Sequence, residues 1–574
     1  MKRLRYIIIG VFLVIAASCT KDFLKINTDP NNPTTSTLPL LLTASEEGLT
    51  YMLGFSNSSS RGAVGLTEVL AVYVHQVTVR EDPDQYGAQG DDFNINGAWN
   101  QFYTAAKQNN DLLGAMENLN VLIRQADAAG DHRYSGIGRI LKAYGMSMMV
   151  DAFADIPFSQ ANQYALAGIG YPVFDKGATI YPQLFTMLDS GIAMLSIKGG
   201  NTTVPGTDDI LFGGDTVKWR KAGNSIKLKM LNQVRLVQNV SAQATSLTSS
   251  ASNLIGSWTG AMKVNYTSQQ TPDDRNPGYN DYYATQKSHY MSPWFYSILK
   301  GYNPNILTGI QDPRIPYYFY NQNSATDAAQ NTTEFRDGGF ISIYFGSQGP
   351  NRDKSQDNSL TVFGIYPVGG KYDDGSHTVV NNNSATGAAP LRLLTYADVL
   401  YIEAELMLTG NIPGNPRATL LAAIQESFHQ VDLVVAVANK GQNIPALVGS
   451  AAMTTYVNAV MAQYDARSIT GKLEMVMTQK WISSFGFSCD AYTDYRRTGF
   501  PVLWNPNDPT MAPGGLVQPP INGDPTQPGA QPKVKVALNR GYPLSLPWPI
   551  NELNVNKNAP AQKNPASYPV FWKP

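Results

Sequence analysis

The sequence predicts a mainly α-helical protein: packed helices in one large body, interrupted by long irregular, loop-rich segments. Three observations carry this. Several stretches repeat apolar residues at helical spacing. Two other long stretches lose that period and fill with turn-forming residues, in a chain holding 49 glycines and 36 prolines. Hydrophobic residues make up 43% of the chain, enough for a core and too many for disorder. At about 150 residues per domain, 574 residues allow three to four domains or one large single body.

The first element, residues 1–18, reads as a targeting signal. Lys2, Arg3 and Arg5 form a basic start, and residues 6–17 are an uncharged apolar run. About a dozen residues are too few to span a bilayer as a helix, which takes about 20. Ala16, Ala17 and Ser18 then precede Cys19. This is the arrangement of a bacterial lipoprotein signal, cleaved before a cysteine that takes a diacylglycerol; the alternative is an ordinary secretory signal followed by a chance cysteine. More than one acyl chain gives stable anchoring, so a lipid anchor on Cys19 holds the protein on a membrane without crossing it. No later stretch approaches 18 consecutive apolar residues. Residues 19–37, with Asn27, Asp29, Pro30, Asn31, Asn32 and Pro33, read as a flexible tether.

The body, residues 38–574, reads as one unit. Helical stripes run through Ile140, Tyr144, Met148 and Asp151, and through Tyr181, Leu184, Leu188, Ile192 and Leu195. Another follows Trp219 through Leu228, Leu231 and Arg235. The clearest is Leu393, Ala397, Leu400, Ala404 and Leu408. They place a helical scaffold at about 38–257 and 390–500. Between them, at about 258–390, lies an aromatic-rich irregular insertion, and residues 501–574 form a Pro-rich irregular end. No strict sequence repeat marks a regular solenoid. Loops this long in a compact protein are usually functional.

Lysine plus arginine total 43 and aspartate plus glutamate 44, a net charge of −1. A nucleic-acid binder needs a basic patch for phosphates, so that class is set aside. Charged residues are only 15% of the chain, against about 25% in a typical soluble protein, while tyrosines number 31. An amide- and aromatic-rich surface of this kind suits neutral, hydroxylated ligands. The two cysteines, Cys19 and Cys489, exclude a disulfide framework, since Cys19 belongs to the signal. Five scattered histidines show no HExxH spacing, and no GxxxxGK[ST], GxSxG or GxGxxG occurs. No catalytic residue, metal site or cofactor is predicted, and Cys489 reads as a buried structural thiol. The adjacent acids Asp91–Asp92 and Asp208–Asp209 read as loop acids or caps. Asp273–Asp274 and Asp373–Asp374 read the same way, although these two loops offer weak Ca²⁺ candidates.

The candidate ligand residues are aromatic. Flat rings pack against the C–H patches of sugar rings while a few placed polar groups bind the hydroxyls. The central candidates are Trp258, Tyr279, Tyr282, Tyr283, Trp294, Tyr296 and Tyr302. A second region, the loop at residues 80–93, adds Tyr86, with Tyr73 and His75 just before it. The competing reading of any one of them is core packing.

Several stretches together resemble the SusD/RagB family of outer-membrane lipoproteins of Bacteroidetes, in its SusD-like, starch-binding-associated branch. They are SCTKDFLKINTDPNNP at residues 18–33, DAFADIPFSQA at 151–161 and GGDTVKWRKAGNSIKLKM at 213–230. LLTYADVLYIEAE at 393–405, QKWISSFGFSCDAYTDYRRTGFP at 479–501, and Pro549, Glu552, Asn554 and Asn556 complete the set. The resemblance implies tetratricopeptide-like helix pairs with the irregular segments on one side. It implies a surface position on the outer membrane and a partner, a SusC-like TonB-dependent barrel that the lipoprotein caps like a hinged lid. It implies capture of an oligosaccharide ligand without covalent chemistry. The motif residues Asp151, Asp155, Lys218, Asn224, Glu403, Arg496 and Arg497 are then scaffold. Ligand residues fall by region, at 80–92 and 258–320. The alternatives are a RagB-like peptide-binding protein, a glycan-active surface enzyme, and an adhesive surface protein without a small ligand. Low charge and dense Tyr and Trp favour glycan over peptide.

Overall fold

The apolar stripes fold as helices, since each can bury its one apolar face only against another element. The computed structural model describes residues 36–55, 65–80, 84–87, 93–108, 110–284, 289–330, 333–354, 357–520 and 531–574. The signal segment, Cys19 and the tether up to residue 35 lie outside these residues, as do Asp91 and Asp92. The first part of the scaffold holds α1 (Leu38–Leu53), α2 (Leu66–Tyr73), α3 (Phe93–Tyr103), α4 (Ala115–Ala129), α5 (His132–Phe153), α6 (Gly177–Met194) and α7 (Thr216–Val234). The insertion carries α8 (Pro277–Ala284) and α9 (Pro293–Leu299). The second part of the scaffold holds α10 (Tyr396–Leu408), α11 (Pro416–Ala438), α12 (Ala451–Asp465), α13 (Ile469–Ser483) and α14 (Cys489–Thr498).

Helices that follow one another in sequence pack side by side, α4 on α5, α6 on α7, α10 on α11 and α12 on α13. This is the tetratricopeptide-like pairing expected of the fold. The α5–α6 contact is close because it is built on small residues. A Cβ added to Gly136 would come 2.8 Å from the carbonyl oxygen of Gly191, and one on Gly191 equally near that of Gly136. Helix α10 begins at a capping box. The Asp398 carboxylate accepts from the Thr395 N–H at 2.8 Å, and the Thr395 hydroxyl faces the Asp398 N–H. That cap corrects the stripe read from the sequence, because Leu393 and Leu394 precede the helix and lie in a strand.

A buried ionic cluster joins four helices. Arg497 of α14 meets Glu405 of α10 at 2.7 Å and Asp494 at 2.8 Å. Arg235, just after α7, reaches Glu405 at 2.7 Å, and Lys480 of α13 reaches Asp494 at 2.7 Å. Each charge is paired, as burial requires. Burial alone would raise the Glu405 carboxyl, but Arg497 and Arg235 hold it down to about 2.

Short strands of the early segment, the insertion with its edges and the Pro-rich end include β1 (Val77–Val79), β2 (Met262–Val264), β3 (His289–Met291), β4 (Phe335–Asp337), β5 (Phe340–Ser342), β6 (Leu391–Leu394), β7 (Leu516–Val517) and β8 (Val534–Lys535). They form two-stranded antiparallel ladders. The β2–β6 ladder pairs Val264 with Leu391, so the two ends of the insertion are clamped together. The β1–β3 ladder pairs Val77 with Met291, which sets α9 beside the early segment. The Pro-rich end returns across the insertion through backbone bonds from Gln348 to Lys535 and from Ala537 to Gly346.

Candidate functional site

The structure sorts the ten aromatic and histidine candidates into three groups. Tyr279, Tyr282, Tyr283, Tyr296 and His75 are buried. They are core, which corrects their reading as ligand contacts. An irregular segment lacks long ladders, so its backbone groups must find other partners, and tyrosine supplies both apolar area and one hydroxyl. The Tyr283 hydroxyl donates to the Phe363 carbonyl and accepts from the Lys371 N–H. The Tyr279 hydroxyl donates to the Ala385 carbonyl and accepts from the Ala385 N–H. Tyr282 packs edge-on against Phe363 at 4.4 Å, and Tyr296 stacks on Phe340 at 3.8 Å.

Tyr73 and Tyr86 are also buried, but they border a cavity of about 310 Å³ shared with Asn539, Arg540 and Pro543. Arg540 pairs with Asp84 at 2.8 Å over this region. The third group reaches solvent. Trp258 and Trp294 are half-buried, and Tyr302 is 55% exposed. The Tyr302 hydroxyl donates to Asp337 at 3.0 Å, and Tyr296 donates to the same carboxylate at 2.8 Å. Burial and then the Asp337 charge push the Tyr302 phenol up to about 12. Trp258 stands elsewhere, under the Lys263 ammonium at 5.0 Å.

Trp294 belongs to an aromatic cleft of about 310 Å³, at the lower end of the roughly 300–1,000 Å³ typical of small-ligand sites. One wall is α9, started by Ser292, whose hydroxyl accepts from the Phe295 N–H, and by Pro293 at its first turn. That helix turns Trp294 and Ser297 to the cleft and buries Phe295, Tyr296 and Ile298. The opposite wall is the Pro-rich end, with Trp504, Met511, Leu516 and Gln518. Phe335, Tyr344 and Phe345 complete it. The walls are tied together: Trp294 Nε1 donates to the Val502 carbonyl at 3.1 Å, and the Tyr344 hydroxyl to the Gln518 carbonyl at 3.2 Å.

Several buried candidates form the layer behind this cleft. His75 stacks on Phe345 with ring centres 3.8 Å apart, and Tyr86 meets Phe345 at 5.6 Å. Tyr296 packs against Phe335 at 6.2 Å. The two regions named from the sequence thus meet behind the cleft, through Tyr86 and His75 on one side and Tyr296 on the other, while Tyr279, Tyr282 and Tyr283 pack elsewhere in the insertion. Sequence reasoning missed Trp504, Tyr344 and Phe335. The available signal was the mixture of Trp, Met and Gly with proline in the irregular end, which marks a long loop without saying which side chain faces inward.

The motif residues are scaffold with two exceptions. Asp151 accepts from Tyr181 and from Trp572, Asp155 pairs with Lys176, and Asn224 holds the Asn253 carbonyl. Arg496 donates to the Asp151 carbonyl. Lys218 and Glu403, by contrast, border a separate cavity. In the two weak Ca²⁺ loops the carboxylates meet protein donors. Asp273 holds Arg275, Asp274 accepts from Thr267, and Asp373 and Asp374 accept from Asn321 and Gln442. Cys489 is buried, and burial pushes its thiol up to about 12.

Comparison with known proteins places this architecture. No curated protein sequence matches significantly. Among solved structures, one titled a chitin-binding protein superposes with a TM-score of 0.63 at 17% identity, covering 94% of this chain and all of that one. A SusD/RagB family protein of Bacteroides thetaiotaomicron superposes with a TM-score of 0.61 at 18% identity, covering 94% and 99%. A chitin-binding SusD homologue of Flavobacterium johnsoniae gives 0.56 at 17% identity, covering 93% and 97%. A family model described as SusD-like, starch-binding and associating with the outer membrane, matches residues 30–518. A match over that span, together with the shared fold, makes the chain a member of the SusD-like family.

Proposed function

We propose that the protein is a cell-surface glycan-binding lipoprotein, anchored through Cys19, that captures oligosaccharides and caps a SusC-like TonB-dependent barrel for uptake. The single observation that carries this is the cleft between the insertion and the Pro-rich end. Trp294, Tyr344 and Trp504 offer ring surface there, and Ser297 and Gln518 offer hydrogen bonds. Rings of this kind cover the C–H patches of a sugar, and a small number of polar groups fixes its orientation. The two neighbours titled chitin-binding support the ligand class, and the family description supports the membrane position.

The test is calorimetry on the chain from residue 20 onward, against a panel of neutral oligosaccharides that includes chitin and starch fragments. A pool of peptides from digested protein forms a parallel arm. Saturable binding of one oligosaccharide class without its cleavage is expected. Binding in the peptide arm alone would move the chain to a peptide-uptake role. A pull-down of the co-expressed barrel tests the partner separately.

A further inference from the structure

The helical scaffold holds a second cavity, of about 560 Å³, bordered by the first turns of α7, the segment 251–260 and one face of α10. Lys218 and Lys221 stand three residues apart on α7 and so share a face. Tyr396, Val399 and Glu403 stand at helical spacing on α10. The side chains of Lys218, Lys221 and Glu403 and the Tyr396 hydroxyl make no hydrogen bond or ion pair with other described residues. Other half-buried charges of this protein are paired, as at Arg467–Glu474 and Lys227–Asp189. Four polar side chains without a protein partner among the described residues thus border one cavity.

We propose that this cavity is a second ligand site, distinct from the aromatic cleft, for a saccharide unit bearing one anionic group, a carboxylate or a sulfate. The lysines supply the anion's partners. Asp215 also lines the cavity and adds a negative charge, but its carboxylate caps α7, accepting from the Val217 and Lys218 N–H groups at 2.9 and 3.1 Å, and among the described residues it forms no ion pair with either lysine. A third cation stands near: burial, and then the charge of Lys218, hold the Lys263 ammonium below its usual range. Burial pushes the Glu403 carboxyl up to about 7, so near neutrality it can donate a hydrogen bond to a sugar hydroxyl. The hydroxyls of Ser257 and Thr259 and the phenol of Tyr396 extend the polar lining, while Val399 gives an apolar wall. The volume far exceeds that of a bare inorganic anion and falls among small-ligand sites, roughly 300–1,000 Å³.

The experiment is calorimetry on the chain from residue 20 onward with four probes: a digalacturonate, a sulfated disaccharide, a neutral disaccharide and inorganic sulfate. The same titrations are run on the Lys218→Ser/Lys221→Ser double variant, on Thr259→Trp, which fills the cavity from an exposed position, and on Trp294→Ala. At least one anionic disaccharide is expected to bind, and binding should weaken about tenfold or more in the lysine variant and in Thr259→Trp, with no change in Trp294→Ala. Should the lysine variant fail to fold, Thr259→Trp decides. The proposal is overturned if neither anionic disaccharide binds, if inorganic sulfate binds as tightly, or if the cavity variants bind as wild type does. Binding of the neutral disaccharide at this cavity as tightly as the anionic ones would also overturn it. Failure of the aromatic cleft would show instead as loss of neutral-glycan binding, which these lysines do not touch.

Discussion

His75 turns the packing behind the cleft into a measurable pH effect. Its ring is fully buried, stacked on Phe345, with Nε2 3.1 Å from the Tyr86 hydroxyl and Nδ1 without a partner among the described residues. Burial lowers its folded-state pKa to about 3, against about 6.5 in an unfolded chain. The sign follows from proton uptake. Between these values the unfolded chain binds a proton that the folded protein refuses, so stability is full above about pH 6.5 and falls with acidification. From about pH 7.5 to pH 5 the loss comes to about 2 kcal/mol, and it depends little on how far below pH 5 the folded value lies. Other buried groups act in the opposite direction; Glu403, raised to about 7, is one. The assay therefore compares urea unfolding of wild type and His75→Phe at each pH. Phe keeps the stack on Phe345, and any fixed cost of holding Phe at the left-handed φ of 58° cancels in the comparison. The stability difference between the two proteins should shift by about 2 kcal/mol across that range, in favour of the variant at low pH. Parallel pH profiles would refute the assignment of a neutral buried ring.

Three further outcomes are expected. Arg497→Ala leaves Glu405 short of its main partner and should cost about 3–5 kcal/mol in chemical denaturation; a loss within experimental scatter would show that the cluster is not what joins α7, α10, α13 and α14. Tyr283→Phe removes the hydroxyl that bridges the Phe363 carbonyl and the Lys371 N–H, and should cost about 1–3 kcal/mol of stability while leaving ligand affinity unchanged. In the chain from residue 20 onward Cys489 is the remaining cysteine, and with its thiol pushed up to about 12 it should react with a thiol reagent only after unfolding. Prompt labelling of the native protein would contradict its burial.

The helices were legible because each leaves a local trace, a period of 3.6 residues that packing then uses. The Ile140–Met148 and Tyr181–Leu188 stripes became the facing helices α5 and α6. The stripe starts three residues before α10 does, since Leu393 and Leu394 continue the apolar pattern and only the Thr395–Asp398 cap separates strand from helix. The site was legible as territory and not as residues. Composition marks 258–320 as rich in aromatics, but a tyrosine that satisfies a loop carbonyl and one that faces a ligand look alike in sequence. Tyr283 and Tyr344 show this: one sits under the insertion and the other lines the cleft, 61 residues away in the same kind of loop. Trp504 and Trp294 come to one cleft only through the return of the Pro-rich end, a placement that no local pattern encodes. Lys218 and Glu403 were read as scaffold because they lie in scaffold motifs; the cavity between their helices exists only once α7 and α10 have packed.

The central claim is that the cleft beside α9 takes a neutral glycan on its aromatic walls. Its most direct test is the affinity of Trp294→Ala for whichever oligosaccharide wild type binds in the panel, with Tyr283→Phe as the buried control. The account predicts that Trp294→Ala loses about tenfold or more in affinity while Tyr283→Phe binds as wild type does. Undiminished binding by Trp294→Ala would contradict it and place the ligand away from this cleft.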